Sequence, residues 1–315
     1  MNPPRSRYVP RTALQRGRPH RGRETATLAG RMTPRDMWLL EMLHEHRVLT
    51  SHHITALWNT SHRVTNRRLR QLHQLHVLDS FRPLTPQGSA PEHYTLGPTG
   101  ATLLAAHWAT ETKHLAWRKD TCTRTAFSPT LEHDLATTTH LVTLAATHHH
   151  EPHDELTLWI SARSTTRLWG DHARPDAYAH WHHHDHVLPF FLEHDTGTEP
   201  LHRVEAKLAG YATLATTTNT TTPLLIHTST PTRERHLRQR LAPIAAQENL
   251  PIATAHTSDD WLPLQPSTTQ RHPLSRLASY WPHLTPALTP QALEAAAHPT
   301  ANRPPWRPIP PLPPR

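Results

Sequence analysis

Apolar side chains recur at helical spacing from Met37 through Leu40 to Leu43, with Trp38 and Leu39 beside them. Thr33 suits a cap and Pro34 a first helical position, so a helix is expected to run through His46. Thr50 or Ser51 opens a short second helix carrying Ile54, Leu57 and Trp58. Ser61 opens a third, with Val64, Leu69, Leu72 and Leu75 as its buried stripe and Arg63, Arg67, Arg68 and Arg70 around the rest. Two short strands follow, one from Val77 to Arg82 and one at HYTL, around a loop rich in Pro, Gly and Ser. The segment LGPTGATLLAAHW predicts a further helix, and residues 110–129 are polar and read as irregular.

Past Thr130 the pattern becomes an alternation of helices and strands. Leu131, Leu135, Leu141, Val142, Leu144 and Ala145 predict a helix over 130–148. Strands are expected at 156–161, 175–181 and 187–194, then a helix over 198–216. A buried strand at 223–229, a helix over 231–248 and a strand at 251–255 complete the set. This order describes a mixed sheet flanked by helices, an α/β domain inside a chain that is α+β as a whole.

The first block gains a function from its charges. Helix, short helix, arginine-rich helix and β-wing is the order of a winged helix-turn-helix, whose third helix enters the major groove of double-stranded DNA. Arginines on that helix, with Arg82 in the wing, suit phosphate contact and guanine readout. A three-helix protein-interaction module is the alternative. Over the chain, Lys and Arg number 33 against 25 Asp and Glu; the surplus of 8 points to a polyanionic partner, though it also serves plain solubility.

Composition narrows the chemistry. Lysine occurs only at Lys113, Lys119 and Lys207, a usage that fits GC-rich bacterial coding, as do the 31 histidines. Against that background Lys207 carries information and the histidines carry little. The His-rich runs at 148–153 and 180–186 match no zinc spacing. The single cysteine, Cys122, excludes an internal disulfide framework and a Cys-based zinc site. Neither GxxxxGKS nor GxGxxG occurs. No apolar run approaches the roughly 20 residues needed to span a bilayer, and the basic N-terminus lacks the apolar stretch of a signal peptide. A soluble, cytoplasmic protein with no membrane partner is the expectation.

Both ends are unlike the middle. Residues 1–31 are dense in arginine and poor in core-forming side chains, which predicts a disordered basic arm able to touch phosphates, or simply a loose terminus. Residues 298–315 are dominated by proline and predict an extended polyproline II tail, a spacer or a docking peptide for a protein partner.

The densest candidate chemistry lies between Arg174 and Tyr211. Asp176, Glu193 and Asp195 fall at the ends or on one face of predicted strands. Carboxylates in a strand as apolar as PFFLEHD are costly unless paired or metal-bound. They are expected to form a Mg²⁺ site, or else to be solvated strand-end residues or to pair with Arg174, Arg203 and Lys207. Glu199, Arg203, Lys207 and Tyr211 recur at intervals of four and share a helix face. His133 is a candidate helper near the carboxylates.

RPDAY followed by FFLEHD resembles the PD-(D/E)xK motif of the restriction-endonuclease-like nuclease fold, with Asp176 after Pro175 as its first half and Glu193 as its second. The resemblance implies Mg²⁺ held by the carboxylates, which activates water and stabilises charge on the phosphate. The sequence departs from the motif where Asp195 replaces the usual lysine, a role that Lys207 would have to fill from the following helix. More narrowly, residues 32–255 resemble the replication-relaxation family of high-GC bacteria and their plasmids. The blocks that carry this are RMTPRDMWLLEMLHEHRVLT, RRLRQLHQLHVLDSFRP, HYTLGPTGATLLAA, LEHDLATTTHLVTL, RPDAY and FFLEHDTGTEPLHRVEAKLAGY.

The expected organisation is a basic arm at 1–31, a winged helix-turn-helix at 32–108 and a linker at 109–129. A nuclease-like α/β domain at 130–260, a helical extension at 261–297 and the proline-rich tail at 298–315 complete it. The expected function is DNA binding in plasmid or mobile-element replication or relaxation, through Arg63, Arg67, Arg68, Arg70 and Arg82. Asp176, Glu193, Asp195 and Lys207 would be catalytic, the three carboxylates holding Mg²⁺ in an endonuclease. The alternative is a non-catalytic regulator or replication accessory on a degenerate nuclease fold; a homodimer and a tail-borne scaffold stay open.

Overall fold

The structure, a computed structural model, describes residues 8–10, 28–84, 88–151, 153–256, 260–264, 270–277, 280–281, 284, 287–297 and 306–314. The chain divides into two compact units, one of residues 1–146 with 299–315 and one of residues 147–298. The fold is mixed α/β.

In the first unit α1 spans Pro34–His46. Its start is fixed locally: the Thr33 hydroxyl accepts the Asp36 backbone N–H at 3.2 Å, and the Asp36 carboxylate accepts the Thr33 backbone N–H at 2.8 Å. A short strand, β2 (Leu49–Thr50), leads into α2 (Ser51–Trp58), which Thr50 caps and Asn59 ends in the left-handed conformation. Ser61 caps α3 (His62–Gln74). The hairpin of β3 (Leu78–Pro83) and β4 (His93–Leu96) follows, in antiparallel register from Leu78↔Leu96 to Phe81↔His93.

β2 pairs with the outer side of β4, and a strand in the N-terminal segment, β1 (Tyr8–Pro10), pairs with β3. The sheet order is β1-β3-β4-β2. Most of the segment read as a basic arm lies outside the described residues. The N-terminal apolar stripe of α3 differs from expectation, since Val64 is 44% exposed while Thr65, Leu69 and Leu72 are buried. After α4 (Pro98–His107), the stretch read as a linker is ordered: a 3-10 turn at Thr112–Leu115 and α5 (Thr121–Ala126). Cys122 and Ala126 join Val48, Phe81 and Leu131 in one apolar cluster. Sparse apolar residues sufficed here because each meets a distant partner, a pairing that local polarity hides. Burial pushes the Cys122 thiol up to about 12, which leaves it protonated and unreactive. The helix α6 (Leu131–Thr147), expected to head the second domain, falls almost wholly in the first unit.

The second unit is built on a six-stranded sheet. Its strands are β5 (Asp154–Ser161), β6 (Ala177–His183), β7 (His186–Asp195), β8 (Leu224–Thr228), β9 (Ile252–Ala255) and β10 (Leu262–Pro263). They lie in reverse chain order, β10-β9-β8-β7-β6-β5. β5, β6 and β7 form an antiparallel meander; β7, β8 and β9 run parallel, joined by crossover helices α8 (Leu201–Thr218) and α9 (Pro231–Gln247). A helix that the periodicity did not predict, α7 (Ala162–Trp169), fills the β5–β6 connection, capped by Ser161. The region read as a C-terminal extension contributes α10 (Leu274–Leu277) and α11 (Pro290–Ala296) to the same unit. β7 is buried from Leu188 through Glu193, as a central strand covered on both faces should be.

Candidate functional site

Register places the carboxylates. Ala177 pairs with Leu192, so Asp176, one residue before β6, reaches the end of β7, where its carboxylate accepts the His194 backbone N–H at 2.8 Å. Glu193 and Asp195, two apart on β7, point to the same face, and helices α8 and α9 receive them. Lys207 and Tyr211, one turn apart on α8, both bind Glu193: Lys207 Nζ donates to Oε2 at 3.0 Å and the Tyr211 hydroxyl to Oε1 at 2.6 Å. Lys207 also meets Glu199 at 3.2 Å. Gly210, between them in sequence, lets α8 come close: a Cβ there would stand 2.2 Å from the His172 carbonyl oxygen.

These groups share one electrostatic field. Burial, and then the neighbouring Asp176, push the Glu193 carboxyl up to about 7, against the pull of Lys207 and Tyr211. Burial alone would lower Lys207, but Glu193, Glu199 and Asp176 outweigh it and hold the ammonium above its ordinary range. Burial and the same two carboxyls, Glu193 and Asp176, raise the Tyr211 hydroxyl well above its usual value. The sequence-predicted trio Asp176, Glu193 and Lys207 thus converges, with Tyr211 as its fourth member.

Asp195 is committed elsewhere. Arg233, in the first turn of α9, donates to it twice, Nε to Oδ2 at 2.6 Å and Nη2 to Oδ1 at 3.1 Å, and the Gly197 backbone N–H adds a third bond at 2.9 Å. The other Nη2 bond of Arg233 goes to the Glu199 carbonyl. The arginine was missed from sequence because it lies 38 positions away; a guanidinium directly behind the Thr230–Pro231 helix start was its one local sign. As arranged, both oxygens of Glu193 and both of Asp195 accept bonds from protein donors. Among the described residues no group of three or more His, Cys, Asp or Glu side chains is placed to hold a metal.

The histidines go to separate places. His180 is buried and bonds the Tyr178 hydroxyl at 2.9 Å, while His183 pairs with Asp154 and His184 stacks on His153 at the β6–β7 turn. His133 lies on α6, in the first unit rather than the unit of the carboxylates.

The arginines of the first unit divide into two groups. Arg63, Arg67 and Arg70 stand exposed on α3. Arg68 turns back to Asp36 on α1, Nε to Oδ1 at 3.0 Å and Nη2 to Oδ2 at 2.5 Å. In the hairpin, Arg82 is held by Glu92 at 3.0 Å and by Ser89 at 2.9 Å, and Glu92 also accepts the Ser80 hydroxyl at 2.8 Å. Arg68 and Arg82, expected at the DNA surface, are therefore tied by ion pairs into the first unit itself.

A family profile described as replication-relaxation matches residues 40–225, more than half of the chain. The chain belongs to the replication-relaxation family. Membership supports a role in plasmid or mobile-element replication. The matched region contains the exposed arginines of α3 and the whole Asp176–Glu193–Lys207–Tyr211 cluster; Arg233 and the proline-rich C-terminus lie beyond it. No curated protein and no solved structure matches the chain. No helix among the described residues is long and apolar enough to cross a membrane.

Proposed function

We propose that this replication-relaxation protein is a double-stranded-DNA-binding factor of plasmid or mobile-element replication whose first unit is a winged helix-turn-helix. The exposed face of α3 carries the reading. Arg63, Arg67 and Arg70 project from a helix whose other side, Thr65, Leu69 and Leu72, is buried. Such a face matches the recognition helix of the fold, and the β3–β4 hairpin stands where a wing belongs. Arg68 and Arg82 serve the fold, so three arginines remain on α3 for phosphate and base edges.

Three phosphate contacts would give a slope of log affinity against log salt of about −2.7. Arg67→Ala and Arg70→Ala should each weaken binding of duplex DNA and reduce that slope by about 1. Fluorescence anisotropy over a salt series measures both. Unchanged affinity and slope in both variants would remove the proposal.

In the second unit, the reading we favour is a nuclease-like fold that holds its centre closed and does not cleave, because each oxygen of Glu193 and Asp195 already accepts a protein donor. The convergence of Asp176, Glu193 and Lys207 favours a second reading, Mg²⁺-dependent phosphodiester cleavage. That chemistry requires Lys207 and Tyr211 to release Glu193. Supercoiled plasmid incubated with Mg²⁺ or Mn²⁺ decides: nicking by the wild type that Asp176→Ala and Glu193→Ala both abolish establishes the second reading, and absence of nicking alongside intact DNA binding establishes the first.

A further inference from the structure

The proline-rich C-terminus, read from sequence as a disordered spacer or docking peptide, belongs to the first unit, and residues 306–314 of it are described. Proline fixes φ and favours polyproline II, a conformation with no internal hydrogen bonds. Its carbonyls are therefore what a receptor can grip. Trp38, on α1, donates its indole N–H to the Pro310 carbonyl at 2.7 Å. Trp306 donates its own indole N–H to Glu45 of the same helix at 3.4 Å. Ile309 and Pro311 are buried. A cleft of about 810 Å³ is lined by Met37, Trp38 and Leu103 on the helix side and by Pro310, Leu312 and Pro314 on the other.

We propose that the α1 face of this cleft is a binding site for a proline-rich peptide, whose ligand is the chain's own residues 306–314. The receptor is legible on α1: Pro34, Met37, Trp38, Glu41 and Glu45 recur at helical spacing along one stripe, separate from the buried Leu39, Leu40 and Leu43. An indole donating to a prolyl carbonyl beside an apolar floor is how aromatic-lined grooves read proline-rich peptides. A preformed ligand loses little entropy on docking, and covalent linkage supplies an effective concentration on the order of mM. The segment follows the second unit in sequence, so docking returns the chain to the first. α1 also carries Asp36, the anchor of Arg68 on α3. α1 thus supports both the docked C-terminal segment and the arginine helix.

The test uses the full chain and a labelled synthetic peptide of residues 304–315. The double variant Ile309→Asp/Leu312→Asp frees the cleft from the tail side; a chain ending after residue 303 replaces it if circular dichroism shows misfolding. The freed chain should bind the peptide at least about tenfold more tightly than wild type, whose own tail competes. Adding Trp38→Phe should weaken that binding about fivefold, the effect of one lost hydrogen bond. Sedimentation should show a wild-type monomer at the concentrations used. No binding to the freed chain at about 1 mM peptide, equal binding to wild type, or indifference to Trp38→Phe overturns the proposal. A dimer that depends on the tail also overturns it, by assigning the cleft to the tail of a second copy.

Discussion

Arg68 on α3 and Asp36 on the first turn of α1 form a two-point ion pair that fixes the arginine helix against its support. Asp36 is 1% exposed. Burial raises its carboxyl, but the Arg68 bond and the Thr33 bonds outweigh that and hold it below its ordinary 3.8. Removing one partner of such a pair leaves a buried charge uncompensated, so Arg68→Ala should destabilise the protein by about 3 kcal/mol in urea unfolding. Arg67→Ala, on the exposed face, should stay within about 0.5 kcal/mol of wild type. Equal losses would show that Arg68 is not the structural arginine. Because the Asp36 value is depressed, its contribution is present above pH 3.8 and fades as pH falls through the lowered folded-state value.

Glu193 has the opposite sign. Its carboxyl is raised from 4.5 to about 7, so the folded state holds the proton more tightly than the unfolded chain. Its contribution to stability is therefore full below pH 4.5, declines as pH rises, and levels off above about 7. Carboxyl NMR of the labelled protein should show one glutamate titrating near neutrality. Asp176→Asn removes a neighbouring negative charge and should move that midpoint downward, whereas Lys207→Met should move it upward. A Glu193 midpoint that ignores both substitutions would mean that the four groups are not one electrostatic cluster.

These two pairs mark where sequence reading succeeds and where it stops. The Asp176–Glu193–Lys207 convergence was legible because strand order and a four-residue helix interval, both local signals, place those side chains. The starts of α1, α2 and α3 were legible for the same reason, since Thr33, Thr50 and Ser61 announce them. What an arginine or aspartate pairs with is set by packing. Asp36 is 32 positions from Arg68, Arg233 is 38 from Asp195, and Pro310 is 272 from Trp38. From sequence, Arg68 looks like Arg67, and Asp195 looks as available as Glu193. The ordered 109–129 stretch was missed because its few apolar residues, Cys122 and Ala126 among them, find their neighbours only in the folded core.

Gly210 sets the spacing of the cluster. With a Cβ it would meet the His172 carbonyl at 2.2 Å, a backbone atom that cannot swing aside. Gly210→Ala should therefore push α8 outward and destabilise the unit by about 1–3 kcal/mol, despite alanine's better helix propensity. Thermal unfolding measures the loss. The same displacement lengthens the Tyr211–Glu193 bond, so the Glu193 midpoint should shift in the variant; an unshifted midpoint and unchanged stability would show that the helix has room to spare.

Asp195 and Arg233 should behave as one structural unit. The carboxylate receives two guanidinium bonds and one backbone bond, and the side chains are only 6% and 15% exposed. Asp195→Ala strands the guanidinium of Arg233 and should cost about 3 kcal/mol, and Arg233→Ala a similar amount by stranding the carboxylate. The double variant should cost clearly less than the sum, since neither charge is then left alone. Urea unfolding of the four proteins closes the cycle. DNA affinity should stay at the wild-type level throughout. A ligand role for Asp195 predicts something different: full additivity in stability, with Mg²⁺ raising the midpoint of wild type and not of Asp195→Ala.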